Sequence, residues 1–212
     1  QRNDIAHIGV TALDPLSSVE DTLLAANEAY EQAQLIGANR YYLRKHEERP
    51  RDMAEWKALV FDMVDSNDYK VSYIGNTENL QTPSILMQEA FLEALDKNKE
   101  LLSVGTFVSI AEKFEKIVEL DKGVTSRVIE HIKESKVAHK MAINVSARTV
   151  KSSHFRAWLA TVLKENQAIA NQLVFSFSAY SVAKEPNTYK EFIDYVGSLN
   201  AKTMVKRFET YS

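Results

Sequence analysis

Short apolar runs alternate with amphipathic helical stretches from one end of the chain to the other, and this alternation limits the fold more than any other feature. When a strand is followed by a helix and then another strand, the strands pair in parallel and the helices cover the sheet faces. The runs fall at residues 5–10, 40–44, 70–74, 140–145, 172–178 and 203–208, and a further apolar run at 85–95 begins as a strand. Between them, Val19, Leu23, Ala26, Tyr30 and Ala33 recur at helical spacing over 18–36, with Ser18 placed as N-cap and Gly37 as the stop. Trp56, Leu59, Val60, Met63 and Val64 share one helical face. Helices are also predicted near 105–116 and 121–136, around Phe155, Trp158, Leu159, Val162 and Leu163, and around Tyr189, Phe192, Ile193, Val196 and Leu199. The expected fold class is α/β, with a parallel sheet or barrel.

The chain has 212 residues, enough for one large domain or two small ones. Residues 45–53 are charged, contain Pro50 and carry almost no apolar side chain, so they read as a linker between a unit at 1–44 and a second at 54–212. With 45% hydrophobic residues and a net charge of −3, the composition argues against disorder and against a general nucleic-acid binder; no DNA partner is expected. The absence of cysteine excludes disulfides, zinc–thiolate sites and cysteine nucleophiles. No apolar run approaches the roughly 18 residues that span a bilayer. The chain opens at Gln1 without Met or a signal-peptide pattern, and reads as a piece of something longer.

In parallel α/β folds, functional side chains gather at the carboxyl ends of the strands. Those ends carry Gln88 and Glu89, then Asn144 and Ser146, then Ser176 and Ser178, then Lys206 and Arg207. One carboxylate, one amide, hydroxyls and two cations suit a hard divalent metal poorly. Glu89 reads either as a site carboxylate or as a surface one, and Asn144 as a site amide or as a partner of strand-end backbone. Lys206 and Arg207 read as a solvated strand end, as internal partners of Glu89, or as phosphate contacts. Trp56 and Trp158 read as core anchors. His7, His46, His131, His139 and His154 lie singly, without ligand spacing. Lys133, Lys136, His139 and Lys140 form a mild basic patch that reads as a solvated helix end.

The same positions carry a family resemblance. Gln88-Glu89-Ala90-Phe91-Leu92 resembles the Glu-Ala-Leu signature of EAL domains, the cyclic-di-GMP phosphodiesterase family. Residues 105–112 resemble that family's Phe-Ile-Pro-Leu-Ala-Glu segment, Leu120-Asp121 its Leu-Asp pair, and Ile143-Asn144-Val145-Ser146-Ala147 its Asn-x-Ser strand. Residues 173–178 stand where Phe-Glu-Ile-Thr-Glu is usual, and residues 205–212 where the Asp-Asp-Phe run is usual. Upstream, Ile8-Gly9-Val10, the stretch 26–30 and Gly37-Ala38-Asn39-Arg40-Tyr41 resemble the last β-α-β of a GGDEF domain, which commonly precedes EAL in tandem. The resemblance implies the tail of a GGDEF domain over 1–44 and the N-terminal part of a TIM-like EAL barrel over 54–212.

The departures from the family pattern set the functional expectation. Active EAL enzymes hold two metal ions on carboxylates and an Asn; Glu89 and Asn144 match such ligands, whereas Ser176, Lys206 and Arg207 stand in place of acids. Glu93 replaces a phosphate-gripping Arg, and Ile74 replaces a Gln. The resemblance therefore implies a degenerate, non-hydrolytic domain without catalytic residues or metal cofactor, with Glu89, Asn144, Ser176, Lys206 and Arg207 as a vestigial ligand site. The implied role is a receptor or adaptor in cyclic-di-GMP signalling with biofilm or adhesion output, similar to LapD-type receptors. The alternatives are a phosphodiesterase with a rearranged Mg or Mn site and a nucleotide-independent adaptor of the CsrD type that binds protein or RNA. Expected partners are cyclic-di-GMP and a protein or second copy, in the cytoplasm, with membrane contact only through segments outside this chain. An eight-stranded barrel takes about 250 residues, so the chain is expected to leave its sheet unclosed.

Overall fold

The structure, a computed structural model, describes residues 5–13, 18–44, 51–82 and 84–207. Its first unit pairs β1 (Ile8–Thr11) in parallel with β2 (Tyr41–Arg44), Ile8 opposite Tyr41. The connecting helix α1 (Val19–Ile36) starts where Ser18 Oγ accepts the backbone N–H of Asp21, as the sequence predicts. Ala29, Ala33 and Ile36 of α1 form a small core with Tyr42.

Helix α2 (Met53–Ser66) begins inside the stretch expected to be a linker, because Asp52 and Glu55 close a reciprocal capping box. Residues 45–50 of that stretch lie outside the described residues. Trp56, Val60, Met63 and Val64 are the buried residues of α2. Trp56 is 1% exposed, and its indole N–H donates to Gln32 Oε1 on α1 at 3.0 Å. Gln32 in turn donates to the Arg51 carbonyl at 2.7 Å, so one buried glutamine joins the two units.

The second unit is a five-stranded sheet of β3 (Lys70–Glu78), β4 (Ile85–Glu93), β5 (Lys140–Asn144), β6 (Leu173–Ser178) and β7 (Lys202–Lys206), in that spatial order. The pairs from β4 onward are parallel, as expected. The β3–β4 pair is antiparallel and corrects the expectation of parallel pairing throughout. The segment between those strands is too short for the crossover of a dozen or more residues that a parallel pair needs, whereas a hairpin needs none. β3 also runs past the expected end at residue 74, through a bulge in which Gly75 and Asn76 oppose Gln88. Gly75 takes φ 74°, a left-handed value that a residue without Cβ adopts at no steric cost.

Helices α3 (Val104–Lys113), α4 (Ile117–Glu134), α5 (Ala147–Lys151), α6 (Ser153–Glu165), α7 (Ala179–Lys184) and α8 (Pro186–Ser198) are the remaining α-helices of the described residues. The α3–α4 break sits at Glu115, at φ 63°, earlier than the predicted boundary. The outward-facing strand residues Met141, Ile143, Leu173, Phe175 and Phe177 pack in one core with Val128 and Ile132 of α4, Phe155 of α6 and Phe192 of α8. Phe175 meets both Phe155 and Phe192 edge-on at 6.4 Å between ring centroids. Trp158 is partly buried against this core, and Trp56 lies within it.

Among the described residues, β3 and β7 are the edges of this sheet, with no pairing between them that would close it. Its inward face keeps Ile74 54% and Phe91 37% exposed. No helix of the described residues is long and apolar enough to cross a membrane.

Candidate functional site

Register places the sequence-predicted site residues on one face. Parallel pairing sets Glu89 beside Ala142, Asn144 beside Ser176, and Ser178 beside Lys206; partners in register share a face, so Glu89, Asn144, Ser176, Ser178 and Lys206 all belong to the inward side. Gln88, one residue from Glu89, falls on the opposite face, where its Oε1 lies 2.6 Å from His139 Nε2. His131 stacks on Tyr73 at 3.8 Å, and burial lowers the His139 pKa, with His131 adding to the effect. The structure thus gives His131 a stacking partner and His139, from the basic patch, a hydrogen-bonding one.

Four strands converge on one cluster. Asn144 Nδ2 donates to Glu89 Oε1 at 2.7 Å. Lys206 Nζ, from the edge strand β7, donates to the same Glu89 Oε1 and also to Asn144 Oδ1 at 2.5 Å. Ser176, 1% exposed, has its Oγ 3.0 Å from Asn144 Oδ1 and 3.2 Å from the Ile143 carbonyl, and its one proton serves either acceptor. Lys206 and Glu89 are 117 residues apart in sequence, with β5 and β6 between their strands. About 14 Å separates such strands along a flat sheet, so both side chains reach over the intervening ones. Ile74 stands directly across from Glu89 on β3, and Glu93 faces Lys70.

Arg207 takes no part in this cluster. It follows the last residue of β7, adopts φ 56° and is exposed. Residues 208–212, which carry the rest of the expected strand and of the family-like run, lie outside the described residues.

Two further features shape the site. The bulge at Gly75 and Asn76 interrupts the ladder one residue from the Ile74–Glu89 pair, a position where bulges re-aim side chains. Asp121, buried in α4, accepts the Ser146 backbone N–H at 3.0 Å and so anchors the turn two residues after Asn144. Burial pushes its carboxyl up to about 6, against the lowering effect of hydrogen bonds from Thr149 and Ser146. The sequence signal for Asp121 was an acid on the apolar side of a helix, between Leu120 and Val124.

These residues do not fit a divalent metal. Among the described residues no group of three or more His, Asp or Glu side chains is placed to hold one. The oxygens that would serve, Glu89 Oε1 and Asn144 Oδ1, already accept from an ammonium that would repel a second cation.

The EAL domain family model matches residues 62–212. Among solved structures, Vibrio cholerae LapD S helix-GGDEF-EAL bound to c-di-GMP superposes with a TM-score of 0.70 at 20% identity, over 93% of this chain and 48% of that one. The FimX EAL domain from Pseudomonas aeruginosa bound to c-di-GMP gives 0.67 at 16% identity, over 74% of this chain and 64% of that one. PaMucR phosphodiesterase in a c-di-GMP complex gives 0.63 at 12% identity, over 73% and 66%. At such identities the likeness is one of fold, and the chain spans about half the length of the LapD structure. No curated protein sequence matches. By the family match over residues 62–212, the chain belongs to the EAL domain family.

Proposed function

We propose that this chain is a non-catalytic EAL module of cyclic-di-GMP signalling, a receptor or adaptor that passes the signal on to biofilm or adhesion output. The observation that carries the reading is the Lys206 ammonium held on the oxygens of Glu89 and Asn144. Hydrolysis of a phosphodiester at a two-metal site needs carboxylates free to hold the ions and to activate water, and here the carboxylate of the cluster is taken. Similarity to LapD and FimX, both solved with c-di-GMP, supports a nucleotide ligand. The LapD likeness extends over 93% of the chain, which supports reading residues 1–44 as the end of a GGDEF domain. A protein partner or a second copy belongs to the same reading. The module would work in the cytoplasm, on the inner face of the membrane if it is LapD-like.

Calorimetric titration of the protein with cyclic-di-GMP, paired with a hydrolysis assay in Mg²⁺ or Mn²⁺, tests the reading. Binding without turnover is expected. Turnover would make the protein a phosphodiesterase with a rearranged site, and absence of heat would make it a nucleotide-independent adaptor.

A further inference from the structure

The mismatch between this cluster and a divalent metal has a specific geometry. In the described structure the cluster contains one carboxylate, Glu89, and one cation, Lys206, in direct contact. Both side chains are three-quarters buried or nearly so, at 28% exposure for Lys206 and 21% for Glu89. The ammonium also takes Asn144 Oδ1, and Asn144 is itself oriented by donating to Glu89. Ser176 Oγ backs the same amide oxygen from β6. A carboxylate oxygen and an amide oxygen converging on one point is the donor set of a hard cation, and the point is filled by a cation that the chain itself supplies. Lysine carries three donors on a compact point charge, so after bonding Glu89 and Asn144 it keeps one N–H to offer.

We propose that Lys206 Nζ is the resident cation of this cleft: it neutralises Glu89, keeps divalent metal out, and presents its remaining N–H to an anionic oxygen of the ligand without help from a metal. The inference rests on the cleft assigned to the nucleotide in the proposed function, but its test uses no nucleotide. It predicts a latent divalent-cation site that a single substitution uncovers. Lys206→Asp replaces the ammonium with a second carboxylate beside Glu89 and Asn144, and one or two carboxylates plus amide and water oxygens suffice for a weak hard-cation site.

The experiment is a Mn²⁺ titration followed by electron paramagnetic resonance of the free ion, on wild type, Lys206→Asp and Lys206→Met. Wild type is expected to bind no Mn²⁺ above background. Lys206→Asp should bind one ion at least about tenfold more tightly than wild type, and adding Glu89→Gln should remove that gain. Lys206→Met keeps the length of the stem but frees the Glu89 carboxylate, and should fall between the two. If circular dichroism shows Lys206→Asp to be unfolded, Lys206→Met is judged against wild type by the same rise. Equal Mn²⁺ affinity in wild type and the folded variants would overturn the proposal. A positive result would stand even if calorimetry showed no cyclic-di-GMP binding, so the two readings fail separately.

Discussion

Asp121 on α4 accepts a 3.0 Å hydrogen bond from the backbone N–H of Ser146, and through it a buried helix carboxylate fixes the turn that follows Asn144. Ser146 is also the N-cap of α5, where its Oγ accepts the Thr149 N–H at 3.1 Å. Burial in an apolar setting makes this carboxylate hold its proton more tightly when folded, against the lowering effect of the hydrogen bonds it accepts. Its pKa rises from the ordinary 3.8 to about 6. Between those values the unfolded chain has released a proton that the folded chain keeps. The stabilisation is therefore full below about pH 4 and is lost as pH rises through about 6, a change of about 3 kcal/mol. Asp121→Asn keeps an acceptor for Ser146 but cannot ionise. The stability difference between variant and wild type, from urea unfolding at pH 4 and pH 7, should shift by most of that amount in favour of the variant at pH 7. An unchanged difference would show that Asp121 does not titrate in this window.

Gly123 on α4 and Tyr69 are set by close approach. A Cβ at residue 123 would lie 1.8 Å from Tyr69 Oη and 2.8 Å from Asn67 Oδ1. Tyr69 is buried, and its hydroxyl donates to Asn67 Oδ1 at 3.0 Å, so it cannot swing away without losing that bond. Gly123→Ala should destabilise the chain by about 1–3 kcal/mol, despite the better helix propensity of alanine. Tyr69→Phe removes the atom in closest conflict. The double variant should recover part of the loss, measured as a coupling between the two substitutions in urea unfolding.

The helical faces and the strands β5, β6 and β7 were legible because their apolar spacing is set by burial on the outer side of the sheet, as with Phe155 and Phe175. The antiparallel turn into β4 was not, because apolar patterning of strands 70–74 and 85–95 carries no direction; only the length of the connection does. The start of α2 was hidden by charge: Asp52 and Glu55 look like linker residues until they are seen bonding one another's backbone. At the site, strand ends pointed to Glu89, Asn144, Ser176 and Lys206 through their spacing along the chain. The sharing of one Glu89 oxygen by Asn144 and Lys206 depends on side chains reaching across two strands, which no local pattern records. Arg207 illustrates the same limit, since a left-handed turn separates it from its neighbour Lys206.

The Glu89–Lys206 contact also makes a stability prediction, separate from its cation role. Both groups are largely shielded from water, so removing one leaves the other charged and poorly solvated. Glu89→Gln and Lys206→Met should each destabilise by about 1–3 kcal/mol, and the double variant should cost less than the sum. A double-mutant cycle in high and low salt measures this. Additive losses would mean that the contact contributes nothing net.

The last prediction concerns the seam between the two units, where Gln32 has both ends of its amide engaged: Oε1 by Trp56 and Nε2 by the Arg51 carbonyl. Arg51 extends the seam, because its guanidinium bonds Asp96 at 2.5 Å with both side chains at 10% exposure or less, and lies 5.5 Å from the Trp56 ring centroid. Trp56→Phe preserves the apolar packing but leaves Gln32 Oε1 buried without its donor, a cost of about 1–3 kcal/mol. Gln32→Met fills a similar volume with no polar atom to satisfy, but it orphans the Trp56 N–H and the Arg51 carbonyl. Combining the two substitutions removes the donor and acceptor of the Trp56–Gln32 bond together, so the double variant should be less destabilised than the sum of its parts. Hydrogen exchange should then report the loss on both sides of the seam, in α1 and in α2. Protection lost in α2 alone would show that the glutamine packs against the second unit without coupling the first unit to it.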